Sequence, residues 1–205
     1  MYKKTHKLVQ FIGIGKSING VFSLAMGKIL FLGQAGAGKT SIYKKYFLKL
    51  PVDEILETNP TVLFTLTKPT VKVFEREDQV VVFDLGGQKS YISSHLANDA
   101  IFSALDISIF VIDISEPEKL KDAINYLLKA HEKIRSLNED LPIQAIFLHK
   151  FDPARQKFLL PLMHQATEML NNAIPRLSEN TYQTTLFDDS IEKAMDSLLA
   201  RAFAN

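Results

Sequence analysis

Gly33-Gln34-Ala35-Gly36-Ala37-Gly38-Lys39-Thr40 stands directly behind the apolar run Ile29-Leu30-Phe31-Leu32. The octet has the spacing G-x-x-x-x-G-K-[ST], which places a phosphate-binding loop between a buried strand and a helix. Glycines let the backbone curl until successive N–H groups face one point, and the helix N-terminus behind them adds partial positive charge. A phosphate belongs at that point. The backbone from Gly33 to Gly38 then cradles the phosphates, Lys39 reaches the β- and γ-phosphates, the Thr40 hydroxyl ligates Mg²⁺, and Ser41 sits beside it. The loop by itself names neither the base nor the purpose.

Outward from this loop the element types alternate. Residues 28–32 read as a strand and 39 to about 48 as a helix, stopped before Pro51. Residues 51–59 are a polar loop. Two β-rich runs, 62–74 and 79–83, flank the turn-like Glu75-Arg76-Glu77-Asp78, and their close spacing makes them antiparallel. There follow a short helix over 93–102, a strand over 107–112, a long helix over 117–137, a strand over 143–148 and a helix over 154–173 made irregular by Pro161. A weak strand over 182–186 and a closing helix over 190–203 complete the order. The expected fold is α/β in three layers: a six-stranded, mostly parallel sheet with one antiparallel strand and helices on both faces.

Ligands of such sheets bind outside the carboxyl ends of the strands. At the end of the strand 79–83 stands Asp84-Leu85-Gly86-Gly87-Gln88. A carboxylate there holds Mg²⁺, the Gly87 N–H meets a γ-phosphate, and Gln88 orients an attacking water. His149-Lys150-Phe151-Asp152 ends the strand 143–148. Asp152 accepts from the N1–H and N2–H₂ of guanine, which adenine cannot supply, and the Lys150 stem lies along the base plane. Among the threonines, Thr70 is too near Asp84 in sequence for two strands to intervene, and Thr65 and Thr67 fall within a strand. Thr61, at the end of the polar loop in Pro60-Thr61-Val62, is therefore the candidate second hydroxyl for Mg²⁺.

The 205 residues suffice for one well-buried domain. With 24 Lys+Arg against 23 Asp+Glu the net charge is +1, which disfavours sequence-independent nucleic-acid binding. The absence of cysteine excludes disulfides, thiolate metal sites and C-terminal prenylation. Residues 1–27 form an N-terminal extension ahead of a domain over 28–205. Within residues 8–25, Phe11, Ile14, Ile18, Val21, Phe22 and Ala25 recur at helical spacing behind Lys3, Lys4 and Lys7. An amphipathic helix on a membrane or packed on the domain fits this spacing, although Gly13, Gly15 and Gly20 each weaken a helix by about 1 kcal/mol. Packing on the domain is the preferred expectation. A signal peptide is disfavoured by Lys16 within the apolar run, and a translation start at Met26 is a further reading.

The phosphate loop, Pro-Thr, Asp-x-Gly-Gly-Gln and x-Lys-x-Asp, in this order, resemble the small GTPases. The double glycine before Gln88 is similar to the Arf, Rag and G-protein α branches. His149, where most families have asparagine, and Thr184-Thr185-Leu186-Phe187-Asp188 resemble the Rag (Gtr) GTPases, over about 28 to 203. The resemblance implies that the backbone around Thr185 and Leu186 contacts the guanine O6. It implies a cycle of GTP and GDP in which Thr61 and the Gly87–Gln88 loop are ordered by the γ-phosphate, with effector, exchange and GTPase-activating proteins as partners. Rag proteins carry a C-terminal roadblock-type dimerisation domain, and the 205 residues give the GTPase domain alone, so any pairing would use the GTPase face or a separate partner. Tyr2 stands where Arf proteins have their myristoylated glycine, which leaves at most weak peripheral membrane contact and a cytoplasmic setting. No arginine lies in 51–60, where G-protein α subunits carry their own, so unassisted turnover is expected to be slow. Ala35, where Ras-type loops have glycine, adds a methyl that crowds a Ras-style arginine. A non-cycling GTP-loaded scaffold is the alternative function, and a P-loop metabolic kinase is disfavoured by the lack of a basic lid segment.

Overall fold

The computed structural model describes residues 27–57, 61–73 and 76–203. The readings of residues 1–26 and of Pro60 lie outside the described residues. The strands are β1 (Gly27–Leu32), β2 (Phe64–Thr67), β3 (Thr70–Val73), β4 (Arg76–Leu85), β5 (Ile107–Asp113), β6 (Ile143–His149) and β7 (Thr181–Thr184). The helices are α1 (Lys39–Phe47), α2 (Val52–Leu56), α3 (Lys89–Leu96), α4 (Asp99–Phe102), α5 (Leu120–Leu137), α6 (Gln156–Ala173), α7 (Pro175–Ser178) and α8 (Ser190–Phe203). The sheet runs β2-β4-β1-β5-β6-β7, with β3 also on β4.

Seven strands stand where six are expected. The difference is Pro69. Thr67 faces Val82 and Thr70 faces Gln79, so β2 and β3 keep one register along β4 and are halves of a single edge strand. Pro69 has no N–H to give the ladder and splits the strand, although its carbonyl still accepts from Val80 N at 3.1 Å. Both halves are antiparallel to β4, and the pairings of β1 with β4 and β5, of β5 with β6 and of β6 with β7 are parallel.

The inner strands β1, β5 and β6 are largely apolar on both faces because both faces are covered. Leu30 and Leu32 point into one core with Phe110, Ile112, Ile124, Leu127 and Met163. Ile29 and Phe31 point into the other with Ile42, Ile109, Phe147, Met195 and Leu198. Several element bounds differ from the sequence reading, among them β7, which ends at Thr184. The turn-like Arg76-Glu77-Asp78 lies within β4, and the polar loop after Pro51 contains α2. The helix expected over 93–102 begins at Lys89 and breaks in two, with Asn98 capping α4 through Oδ1 to Ala100 N at 3.2 Å. Helix α6 runs unbroken through Pro161, since Pro161 and Lys157, whose carbonyl it leaves unpaired, both lie on the exposed side. No helix among the described residues is long and apolar enough to cross a membrane.

One charge is buried beneath β1. Lys28, 2% exposed, donates from Nζ to the Ala100 and Ser103 carbonyls at 2.7 and 3.0 Å and lies 4.6 Å from the centre of the Phe83 ring. These are the last carbonyls around α4, where a cation is favoured. Burial still pushes the ammonium down to about 8, against the opposing pull of Asp106.

Candidate functional site

The carboxyl ends of β1, β4 and β6 open on one groove, lined on its phosphate side by Ala35, Gly36, Gly38, Lys39, Thr40 and Ser41. The turn needs glycine at Gly38, whose φ is +99° and where a Cβ would stand 2.4 Å from the His149 ring. Gly87 is equally constrained, since a Cβ there would meet the Gln34 carbonyl carbon at 2.1 Å. Its carbonyl accepts from Ala35 N at 2.8 Å and ties the Asp84–Gln88 turn to the phosphate loop. Lys39, 5% exposed, donates to the Gly33 and Gln34 carbonyls at 2.9 and 2.8 Å. Gly33 and Gln34 thus serve through their carbonyls, and Ala37, 2% exposed, packs in the core beneath the loop.

Burial also pushes Lys39 down to about 8, with the Asp84 carboxylate pulling the other way. Lys28 and Lys39 share one consequence. Between pH 8 and 10.5 the unfolded chain holds these protons and the folded chain has released them, so folding stability rises with pH across that window. Below pH 8 both states are protonated and each folded lysine carries the full cost of its buried charge, about 3 kcal/mol. Urea unfolding of the nucleotide-free protein at pH 7.5 and 9.5 is expected to show the rise, and Lys39→Met to remove about half of it.

Thr40, Thr61 and Asp84 converge from α1, the segment before β2 and the end of β4. Thr40 Oγ1 lies 2.7 Å from Thr61 Oγ1 and donates to Asp84 Oδ2 at 2.5 Å, and Thr61 Oγ1 donates to the same oxygen at 3.2 Å. Asp84 Oδ1 is buried and without a partner among the described residues. Burial pushes the Asp84 carboxyl up, offset in part by the Thr40 hydroxyl, Lys39 and Thr61. Two hydroxyls and a carboxylate, all hard oxygens, with one carboxylate oxygen unmet, fit Mg²⁺. Gln88 is exposed, caps the start of α3 and lines the groove.

At the other end, Asp152 Oδ1 accepts from Thr185 Oγ1 at 2.7 Å. The Thr185 N–H goes to Ser190 Oγ at 3.0 Å and the Phe187 N–H to Thr185 Oγ1 at 3.3 Å, which leaves the Leu186 N–H without a partner among the described residues. Lys45 Nζ on α1 holds the same loop from behind, donating to the Leu186 and Asp188 carbonyls at 2.7 and 2.5 Å. His149, 1% exposed, has Nδ1 at 3.0 Å from Thr184 Oγ1 and its opposite edge against Gly38, so it wedges between the phosphate loop and β7. Burial and the Lys150 charge push it down to about 4. Folded His149 stays neutral while the unfolded residue protonates near 6.5, so stability falls as pH drops from 6.5 toward 4. Thermal unfolding of His149→Gln at pH 5 and 7 is expected to show a smaller acid loss than the parent chain.

The family model that matches, over residues 28–202, is described as the Gtr1/RagA G protein conserved region. The chain belongs to the Gtr1/RagA G protein family. It is similar to Ras-related GTP-binding protein A of Dictyostelium discoideum, 25% identical over 180 residues, 87% of this chain and 58% of that protein. It is also similar to GTP-binding protein gtr2 of Schizosaccharomyces pombe, 26% identical over 182 residues, 85% of this chain and 54% of that one. ADP-ribosylation factor-like protein 1 of Drosophila melanogaster is 32% identical over 123 residues, 58% of this chain and 62% of that protein. The chain spans little more than half the length of the two Gtr/Rag relatives.

Within this Gtr1/RagA domain the groove has a wall that the motifs do not announce. Ile55, Leu56 and Phe187 line it, the last two 64% and 55% exposed. An apolar pair inside an otherwise polar loop was the available signal for Ile55 and Leu56. Phe187 follows directly on the Thr184-Thr185-Leu186 stretch. Of the sequence candidates, Gly33, Gln34, Ala37, Asp84 and Thr185 do not line the groove; Asp84 and Thr185 meet it from behind, through Thr40 and Asp152.

Proposed function

We propose that this Gtr1/RagA domain binds GTP and GDP with Mg²⁺, hydrolyses GTP slowly, and works as a molecular switch. The observation that carries the reading is the meeting of Thr40, Thr61 and Asp84 from three separate elements beside the buried Lys39. Thr40, Thr61 and Asp84 would hold the metal, which when bound neutralises charge on the β- and γ-phosphate oxygens. Asp152 and Lys150 select and flank guanine, with the free Leu186 N–H available to O6. Gln88 stands free at the groove edge to orient the water for in-line attack on the γ-phosphorus, while Lys39 and the loop amides take up developing charge. No arginine is among the described residues lining the groove, in keeping with slow turnover and with an activating protein that adds on the order of 10³–10⁵ if it supplies one.

The Thr61 hydroxyl meets Thr40 from outside any helix or strand, which supports it as the element that would answer to the γ-phosphate. Effector, exchange and activating proteins would read that response, in a cytoplasmic setting where nucleoside triphosphate is present. Pairing with another G domain and weak peripheral membrane contact through residues 8–25 belong to the same proposal. Fluorescent GDP release tests the metal assignment: excess EDTA is expected to speed release at least tenfold. An EDTA-insensitive rate, with guanine nucleotide bound, would remove Mg²⁺ from the reading.

A further inference from the structure

Asp113 ends β5 beside His149, its partner in the β5–β6 register, and is 8% exposed. Its two carboxylate oxygens have separate tasks. Oδ1 accepts from Ser115 N and Ser115 Oγ at 2.8 and 2.6 Å, closing the turn after β5. Among the described residues Oδ2 accepts no directed hydrogen bond, and its charge is met by Lys150 Nζ at 2.5 Å. Lys150 turns out of β6 with φ +67°, and its side chain is 37% exposed. Among the described residues it pairs with no other carboxylate, so Asp113 alone decides where that ammonium rests.

We propose that Asp113 is a positioning residue for the nucleotide, holding Lys150 extended along the groove before the base arrives. This rests on the reading of Lys150 as the residue that flanks guanine. A free lysine side chain samples many rotamers and must surrender them when it packs on a ligand. Anchoring the ammonium on a buried anion removes that cost in advance, and such pre-organisation slows dissociation more than it speeds association. A purely structural Asp113 would act through the Ser115 turn instead, and the two roles use different oxygens.

Asp113→Asn separates them, because the amide keeps an oxygen for Ser115 and withdraws the charge from Lys150. In the full chain, release of a fluorescent GDP is expected to be about tenfold faster in Asp113→Asn. Ser115→Ala is expected to release at the parent rate. In a Lys150→Met background, Asp113→Asn is expected to add nothing further. Asp113→Glu, which retains the anion, is expected to fall between parent and Asp113→Asn, and gives the same comparison should the asparagine variant not fold. Parent-rate release in the Asp113 variants, an equal acceleration by Ser115→Ala, or full additivity with Lys150→Met would each overturn the assignment. A parent chain that binds no guanine nucleotide at all would overturn the functional reading beneath it as well.

Discussion

Asp152→Asn is expected to lower GTP affinity about 10³-fold and to create affinity for xanthosine triphosphate. The carboxylate can accept from both N1–H and N2–H₂ of guanine while Oδ1 keeps its bond from the Thr185 hydroxyl. An asparagine loses one charge-assisted bond, about 1.5–3 kcal/mol, and turns a donor toward the guanine amino group, leaving both unsatisfied at about 1–3 kcal/mol more. Xanthine carries a carbonyl oxygen at that place and accepts from the new amide. Competition binding with GTP, ATP and xanthosine triphosphate reads the exchange. GTP affinity equal to that of the parent chain would remove Asp152 from base recognition.

Gln88→Leu is expected to bind GTP normally and to hydrolyse it about 10²-fold more slowly in single turnover. Gln88 is exposed at the cap of α3, outside both cores, so its loss leaves the fold and the phosphate grip in place. Its backbone carbonyl still starts the helix, accepting from Tyr91 N and Ile92 N at 2.9 and 3.1 Å whatever the side chain. The rate loss should therefore come without a change in melting temperature or nucleotide affinity. Hydrolysis at the parent rate would show that the water is positioned by another group.

Local signals carried much of this site into the sequence. The phosphate loop needs its glycines and lysine at fixed spacing, and the apolar run of β1 announces the strand that delivers it. Thr61 follows from geometry along the chain, since Thr65, Thr67 and Thr70 all fall in the edge strand. What escaped depends on residues far apart in sequence. Phe187 and Leu56 line the same groove although 131 positions separate them, and no local pattern records that meeting. Asp113 ends β5 and Lys150 follows directly on β6, and the register that sets Asp113 opposite His149 brings the two together. Lys45 reads as one more lysine on a basic helix until the loop at Leu186 folds against it. The break at Pro69 was visible as a residue, and its effect on the strand count depended on which side of the edge paired with β4.

A single groove that grips phosphates at Lys39 and reads guanine at Asp152 should retain its nucleotide through purification. Denaturing the freshly purified protein and separating the released nucleotides by chromatography tests it most directly. GDP or GTP is expected in near-stoichiometric amount, with adenine nucleotides absent. A nucleotide-free protein that takes up ATP as readily as GTP would contradict it.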